Sequence, residues 1–174
     1  MENSAAKNIG RYKEIREWIV TILVAIALGL ALHFFVFERV SVLQTSMYPT
    51  LKDGEQLIML KINYIIGKPK RGDIAIIRFD ASQKYVKRVI AMPGETIQIT
   101  GNKVYINGEA LDEPYLQSGL EYFDEPLVVV PEGSYFVMGD NRPGSSDSRQ
   151  LGCFEERDFL GKVVLRISPF TKFY

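Results

Sequence analysis

The chain opens with one long apolar run and then changes to short segments in which apolar and polar residues alternate. The run covers residues 19–37, carries no formal charge, and has only Thr21 and His33 as polar side chains. A helix of this length is roughly 28 Å long, close to the thickness of the hydrocarbon layer of a bilayer. The run therefore predicts a single transmembrane helix, with His33 near the interface at its outer end.

The flank before the run carries four basic residues against three acidic ones, whereas only the pair Glu38-Arg39 follows the run directly. By the positive-inside rule, residues 1–18 are predicted to be cytoplasmic and residues 38–174 to lie outside the cell membrane. A cleaved signal peptide is the competing interpretation, because Ala25-Ile26-Ala27 resembles a cleavage site. Cleavage there would leave an apolar tail on the mature protein, so we favour an uncleaved anchor.

Short segments with strand-like patterning fill most of the remaining chain. Residues 96–100 and 103–106 form the clearest hairpin, with Gly101-Asn102 as its turn, and Asn107-Gly108 gives a second turn signal. The other predicted strands are residues 40–44, 56–60, 73–79, 82–90, 127–130, 135–138 and 162–167.

Two segments of the same region show neither strand nor helix patterning. Residues 63–67 are apolar and irregular, and residues 139–152 form a polar stretch rich in Gly, Ser and Asp. Apart from the apolar run there is no convincing helix. Residues 38–174 therefore predict one all-β domain with many turns, long enough to bury a core.

Composition restricts the possible catalytic chemistry more than it restricts the possible folds. The formal net charge is zero, which gives no indication of a nucleic-acid partner. The single histidine lies inside the apolar run, so a Ser-His-Asp triad has no histidine to use. The single cysteine, Cys153, allows no internal disulfide and no cysteine-rich metal site, and we interpret it as a small buried thiol. A hydrolase built on this sequence needs a lysine or a carboxylate as its base.

A serine-centred turn, residues 45–51, begins eight residues after the apolar run. The hydroxyl of Ser46 becomes a nucleophile only when a neighbouring group takes its proton. Lys87 is the candidate base, because Tyr85 and Val89 flank it on one strand face and burial lowers the pKa of a lysine. Taken singly, Ser46 is typical of a turn residue and Lys87 of a side chain that extends into water.

Four motifs follow the apolar run in order, and together they carry more information than any one of them. They are Ser46-Met47-Tyr48-Pro49-Thr50-Leu51, Arg71-Gly72-Asp73-Ile74, residues 87–95 and residues 139–149. The set closely resembles the bacterial type I signal peptidases, Ser-Lys proteases that remove signal peptides from exported proteins. The short segment between Lys87 and Gly139 resembles the Gram-positive form. The resemblance covers nearly the whole chain and implies a fold of coiled antiparallel sheets.

The resemblance also implies a role for individual residues. Ser46 corresponds to the nucleophile, with its own N–H contributing to the oxyanion hole, and Lys87 to the general base. Ser145 corresponds to the serine that hydrogen-bonds to the lysine and orients it. The charged residues expected to brace the site structurally are Arg88, Asp140, Asp147 and Arg149.

The implied substrate is an extended peptide that pairs with the enzyme as an added β-strand. Residues 40–44 and 83–86 are expected to pair with it, and shallow pockets for small side chains would explain an Ala-X-Ala preference. The residues expected to bind the substrate are Val40, Val42, Gln44, Met47, Leu51, Tyr85 and Val86. The implied partners are secretory preproteins, the lipid bilayer and, by proximity, the secretion translocase; no metal or cofactor is expected.

Two positions depart from the family pattern. Thr45 stands where the family commonly has glycine before the nucleophile, and Gln44 stands where Gram-negative members have a serine that helps the oxyanion hole. Thr45 favours an alternative function, a non-catalytic membrane-anchored homologue that binds signal peptides. A self-cleaving Ser-Lys repressor-type domain shares the same chemistry, but here a membrane span replaces any DNA-binding segment.

Overall fold

The structure is a computed structural model that describes residues 2–80, 83–167 and 170–173, without the side chains of residues 2–11, 32–35 and 171. The predicted interfacial position of His33 lies outside this set, as does Ser82 in the predicted strand 82–90. The chain divides into two compact units, residues 1–37 and residues 38–174.

The first unit is one helix, α1 (Glu2–Val36), of 35 residues. It contains nearly all of the apolar run, in which Ile19, Leu23 and Leu30 are each more than half exposed. No helix in the described part of the chain has both the length and the apolar composition expected of a membrane span. The apolar run is helical, and the helix begins well before residue 19; its predicted membrane span stays a prediction.

The second unit contains two antiparallel sheets. In chain order, the strands are β1 (Phe37–Ser41), β2 (Gln56–Leu60), β3 (Ile74–Arg78), β4 (Lys84–Ala91), β5 (Thr96–Thr100), β6 (Lys103–Ile106), β7 (Glu109–Ala110), β8 (Glu125–Val129), β9 (Ser134–Met138), β10 (Phe154–Glu155), β11 (Phe159–Arg166) and β12 (Thr171–Lys172). The larger sheet has the order β1-β2-β11-β3-β4-β9-β10, with β12 beside β11. The smaller sheet has the order β7-β6-β5-β8.

Strand β4 links the two sheets and positions the candidate base. It pairs with β3 from Lys84 to Arg88, whereas its pairing with β9 begins only at Arg88. A bulge between Val89 and Ala91 then changes the face to which the following side chains point. As a result, Val89 packs under the larger sheet while Ile90 packs with the smaller one.

Three apolar clusters form the core of this unit. One cluster lies against the smaller sheet and includes Ile97, Ile99 and Val104. Another lies around Tyr135 and Phe159. The third lies beneath the serine-centred turn, and its buried members are Val42, Met47, Leu51, Leu57, Met59, Ile74, Ile76 and Val163. Burial of this apolar surface is the main force that holds the turn against the sheet.

The predicted all-β domain is confirmed, and the hairpin of β5 and β6 has the predicted bounds. The predicted strand 40–44 is corrected: β1 ends at Ser41, and Gln44 has a φ of +103°, which no regular strand adopts. The segments predicted to be irregular contain single helical turns, α2 (Asn63–Ile66) and α3 (Ser148–Leu151). Strands β7, β10 and β12 have two residues each, too few to show a period in the sequence.

Candidate active site

The turn that carries Ser46 lies in the connection between β1 and β2. Val42 exchanges two backbone hydrogen bonds of 2.9 Å with the residues that lead into β2, so the ends of the connection are tied together. Met47 and Leu51 are buried in the core and fix the turn from below. Ser46 is half-buried, and its N–H donates no hydrogen bond to any residue that the structure describes. That N–H is available to an oxygen of a bound ligand.

The polar loop 139–149 packs directly onto this turn. The Asn141 N–H donates to Ser46 O at 3.0 Å, and Asn141 Nδ2 donates to Thr45 O at 3.2 Å. A Cβ at Gly139 would lie 2.4 Å from Ser46 O and 2.3 Å from Ser145 Oγ. Since non-bonded atoms do not approach so closely, only glycine allows the loop to reach the serine turn.

Lys87 lies on β4 opposite Ala75 and is only 3% exposed. Its Nζ lies 5.3 Å from the centroid of the Tyr85 ring, so the aromatic ring covers it on the predicted strand face. Burial lowers the pKa of Lys87 to about 8, with Asp147 acting to raise it and Arg149 to lower it. At mildly alkaline pH, Lys87 is therefore a neutral amine in a substantial fraction of the molecules.

Ser145 is buried, and its Oγ forms no hydrogen bond within the described part of the chain. The hydrogen bond expected between Ser145 and Lys87 is accordingly absent from the described contacts, and none joins Ser46 Oγ to Lys87 Nζ. The close approach of Gly139 to both Ser145 Oγ and Ser46 O nevertheless places the Ser145 hydroxyl beside the serine turn.

Arg88 and Asp140 form a buried ion pair that joins β4 to the polar loop. Arg88 Nε donates to Asp140 Oδ1 at 2.9 Å and Nη2 donates to Oδ2 at 2.7 Å, the two-point geometry of a strong pair. Thr50 Oγ1 also donates to Asp140 Oδ2, at 2.5 Å, which ties the serine turn to the same carboxylate. The guanidinium lies 3.8 Å from the centroid of the Tyr115 ring. The pair thus connects three elements around the site.

Asp147 and Arg149 form a second buried pair inside the loop itself. Arg149 Nε donates to Asp147 Oδ1 at 2.8 Å, and the Gly139 N–H donates to Asp147 Oδ2 at 2.9 Å. Arg149 Nη2 also donates to the carbonyls of Arg142 and Ser145, at 2.6 and 3.3 Å. These contacts close the loop on itself, which keeps Gly139 and Ser145 in place against the serine turn.

A third ion pair was not predicted as part of the site. Arg142, fully buried, donates to the carboxylate of Glu113 and, through Nε, to Gly139 O at 3.1 Å. Arg142 belongs to a motif that the sequence singled out, but Glu113 lies 29 residues earlier in a turn-rich segment without any motif. Thr50, Gly139 and Asn141 were likewise not assigned individual roles, although all three lie within the resemblance motifs.

Ser46 and Lys87 line one cleft of about 570 Å³. The other residues that line it are Val40, Ser41, Val42, Leu43, Gln44, Met47, Ile76, Gln83, Lys84, Tyr85, Val86, Gly144 and Ser146. All the predicted substrate-binding residues are among them except Leu51, which is fully buried beneath the turn. Before Arg88, the β4 edge that faces away from β3 is not paired with any described strand, so it can accept an added strand.

The described residues include no group of three or more His, Cys, Asp or Glu side chains arranged to hold a metal ion. The cleft itself is lined by the Ser46 hydroxyl and the Lys87 amine. A buried amine with a lowered pKa and a half-buried hydroxyl in one cleft are suited to acyl transfer.

Residues 15–168 match the family model described as signal peptidase, peptidase S26. The chain belongs to this family of signal peptidases. A signal peptidase I from Bacillus amyloliquefaciens is 45% identical over 166 residues, covering 88% of this chain and 86% of that protein. A signal peptidase I T from Bacillus subtilis is 41% identical and covers 98% of this chain and 93% of that protein.

A crystal structure of a signal peptidase I from Enterococcus faecalis is 35% identical to the matched region, with a TM-score of 0.49. The match covers 55% of this chain and 97% of the crystallised chain. The predicted family membership is confirmed by the family model and the full-length relatives, and so is the prediction that the chain is a peptidase.

Proposed function

We propose that this signal peptidase cleaves N-terminal signal peptides from exported preproteins by means of a Ser46–Lys87 dyad. The observation that carries the proposal is the burial of Lys87, with its pKa lowered to about 8, in the wall of the cleft that contains Ser46. Lysine in this state can act as a general base near neutral pH, and no histidine is available for that task.

In the first half of the reaction, neutral Lys87 takes the proton of the Ser46 hydroxyl as the oxygen attacks the scissile carbonyl. The Ser46 N–H, which has no partner among the described residues, donates to the developing oxyanion. Collapse of the tetrahedral intermediate breaks the peptide bond, and protonated Lys87 gives its proton to the leaving amine. The product is an ester between Ser46 and the signal peptide.

In the second half, Lys87 is neutral again and takes a proton from water, which attacks the ester carbonyl. The signal peptide leaves with a new carboxylate, and the proton returns to Ser46. We assign to Ser145 the role of orienting Lys87, since its buried hydroxyl lies beside the serine turn without another partner among the described groups. Arg88, Asp140, Asp147 and Arg149 keep the loop and the strand in register.

The substrate is proposed to bind as an extended strand between the free β4 edge at residues 83–86 and the segment 40–44. Val40, Val42, Gln44, Met47, Tyr85 and Val86 would line its pockets, while Leu51 would support Met47 from below. We expect the pockets to be shallow, because the buried side chains of Val42 and Met47 are packed in the core, and shallow pockets favour the small residues of an Ala-X-Ala site.

The proposal also includes the anchor and its orientation. Residues 19–37 have no formal charge, and the described apolar side chains in this part of α1 are exposed rather than packed in a core. We assign them to the hydrocarbon layer of the cell membrane, with residues 1–18 cytoplasmic and the peptidase unit on the outer side, near the translocase that delivers preproteins.

The dyad is tested with the purified full-length protein in detergent and a preprotein that has an Ala-X-Ala cleavage site. Ser46→Ala and Lys87→Ala should each lower processing at least about 1000-fold, because each removes a partner of the same proton transfer. Lys103→Ala, which removes an exposed lysine on β6, is the matched control and should process normally. Normal processing by Lys87→Ala would refute the dyad, and a labelled acyl group on Ser46 would exclude the non-catalytic alternative.

A further inference from the structure

Gln44 adopts a backbone conformation that its residue type disfavours. Its φ is +103°, and the only other non-glycine residues with positive φ in the described ranges are Asn102 and Asn107. Both asparagines occupy hairpin turns, where their residue type is common. Gln44 instead lines the cleft, two residues before Ser46. A conformation of this kind persists only when the surrounding structure holds it.

One side chain supplies the hydrogen bond that holds it. Asp53 Oδ1 accepts the Gln44 N–H at 2.8 Å. This bond continues the ladder in which the Val42 N–H donates to Glu55 O and the Gly54 N–H donates to Val42 O. A carboxylate thus takes the position of the next backbone acceptor, and the chain leaves the β geometry at this point.

The residues on either side of Gln44 are already fixed. Val42 is held by its two hydrogen bonds to residues 54 and 55, and Thr45 O accepts bonds from the Tyr48 N–H and from Asn141 Nδ2. Any relaxation of φ at Gln44 must therefore be taken up by Leu43, Gln44 and the start of the serine turn. Such a movement would shift the Ser46 N–H and hydroxyl relative to Lys87.

We propose that Asp53 is a positioning residue for the peptidase reaction. By holding the Gln44 N–H, it maintains the positive φ that directs the chain from the segment that pairs with the substrate into the turn that carries Ser46. We call this pair the Gln44–Asp53 clamp. Its role in catalysis rests on the proposed function, whereas its effect on the conformation of residues 42–48 does not.

Substituting glycine for Gln44 distinguishes the clamp from an ordinary structural hydrogen bond. Glycine adopts positive φ without strain, so a Gln44→Gly protein needs no carboxylate to keep the chain direction. Asp53→Ala should lower kcat/KM about tenfold in the natural background, the effect expected of losing one charge-assisted hydrogen bond. In the Gln44→Gly background the same substitution should lower it less than about twofold.

The matched control is Asp124→Ala on the smaller sheet. Asp124 Oδ1 accepts the N–H of Gly101 at 2.9 Å, and Gly101 also has a positive φ of 57°. The same kind of bond is therefore lost at a glycine outside the described cleft. We expect Asp124→Ala to leave kcat/KM unchanged.

Hydrogen exchange of the peptide that covers residues 42–48 gives a readout that does not depend on activity. In full-length protein in detergent, Asp53→Ala should speed exchange of this peptide about tenfold, and Gln44→Gly/Asp53→Ala should restore most of the protection. Equal losses of kcat/KM in both backgrounds, or unchanged exchange in Asp53→Ala, would overturn the clamp. The expected exchange pattern in a protein without peptidase activity would instead support the clamp's conformational effect and refute the proposed function.

Discussion

At the scale of individual residues, the proposed chemistry depends on the desolvation of a single amine, that of Lys87. Asp147 stabilises the ammonium form of Lys87, yet burial outweighs it and lowers the pKa to about 8. An exposed lysine, with a pKa near 10.4, would be neutral in only about one molecule in a thousand at pH 7.4. With a pKa of about 8 the neutral fraction rises to roughly one in five, which is enough for a general base.

This position of the pKa predicts the pH dependence of the reaction. In the proposed mechanism the neutral amine is the active form, so kcat/KM should rise with pH, about tenfold per unit on the acid side, and level off above pH 8. The measurement is preprotein processing by full-length protein between pH 6 and 9.5, with circular dichroism at each pH as the control for folding. A profile that is flat across this range, or one that falls as pH rises through 8, would contradict Lys87 as the base.

The same burial has a cost in stability. Since the folded-state pKa of about 8 lies below the ordinary lysine pKa of 10.5, the unfolded chain binds more protons between these two pH values. Stability therefore rises with pH across this window, and below pH 8 the cost is constant at roughly 3 kcal/mol. A buried lysine is a poor choice for stability alone, which agrees with a functional reason for its position.

At the scale of elements, one carboxylate of the polar loop contacts both strand β4 and the serine turn. Asp140 accepts two bonds from Arg88 and one from Thr50, and it is completely buried. Removing its charge leaves a buried guanidinium without compensation, and mutations of this kind cost more than the pair itself contributes.

Asp140→Asn should therefore destabilise the protein by about 3 kcal/mol and lower processing, because the loop no longer holds Ser145 and Asn141 against the serine turn. Lys68→Gln is the matched control, since it breaks an ion pair with Glu156 in which the lysine is mostly exposed. That change should cost less than about 1 kcal/mol. Denaturant unfolding, monitored by circular dichroism, compares the two variants. Equal losses of unfolding free energy would show that breaking the buried Asp140 pair costs no more than breaking an exposed pair.

The local elements were predictable where the pattern extends over four or more residues. The β5–β6 hairpin has the predicted bounds because alternation and the Gly101-Asn102 turn agree. The end of β1 was not predictable, because the side chain of Asp53 replaces a strand partner. Helix α3 begins where the Asp147 side chain accepts the Arg149 N–H. This helix start was not predictable, because the surrounding small polar residues show no helical pattern.

The candidate site was predictable to the extent that its residues lie in motifs. Ser46, Lys87 and the charged residues of the loop were named from the sequence, and the structure brings them around one cleft and one loop. The Arg142–Glu113 pair and the close approach of Gly139 to Ser46 O depend on contacts between distant parts of the chain. Neither has a local signature, so only the fold reveals them.

At the scale of the whole molecule, the proposed anchor would determine which substrates the cleft meets. A preprotein emerging at the membrane has its cleavage site close to the bilayer surface, and Ser46 follows the apolar run by only nine residues. An extended chain of nine residues spans at most roughly 32 Å, so the proposed nucleophile lies within that reach of the end of the apolar run. We therefore expect anchoring to raise the rate of processing in membranes and to leave the chemical reaction in the cleft unchanged.

Charges placed within the apolar run test this expectation. Ile22→Lys combined with Leu28→Lys introduces two charges that disfavour insertion by about 3 kcal/mol each. The double variant should be released from vesicles by an alkaline carbonate wash, whereas the wild-type chain and the control Tyr12→Lys, which lies before the run, should stay with the membrane. In detergent all three should process a soluble preprotein equally, because the peptidase unit is unchanged. Release of the wild-type chain by carbonate would refute the anchor. Release of the double variant alone, together with normal processing by it in vesicles, would show that the cleft needs no anchor to find its substrate.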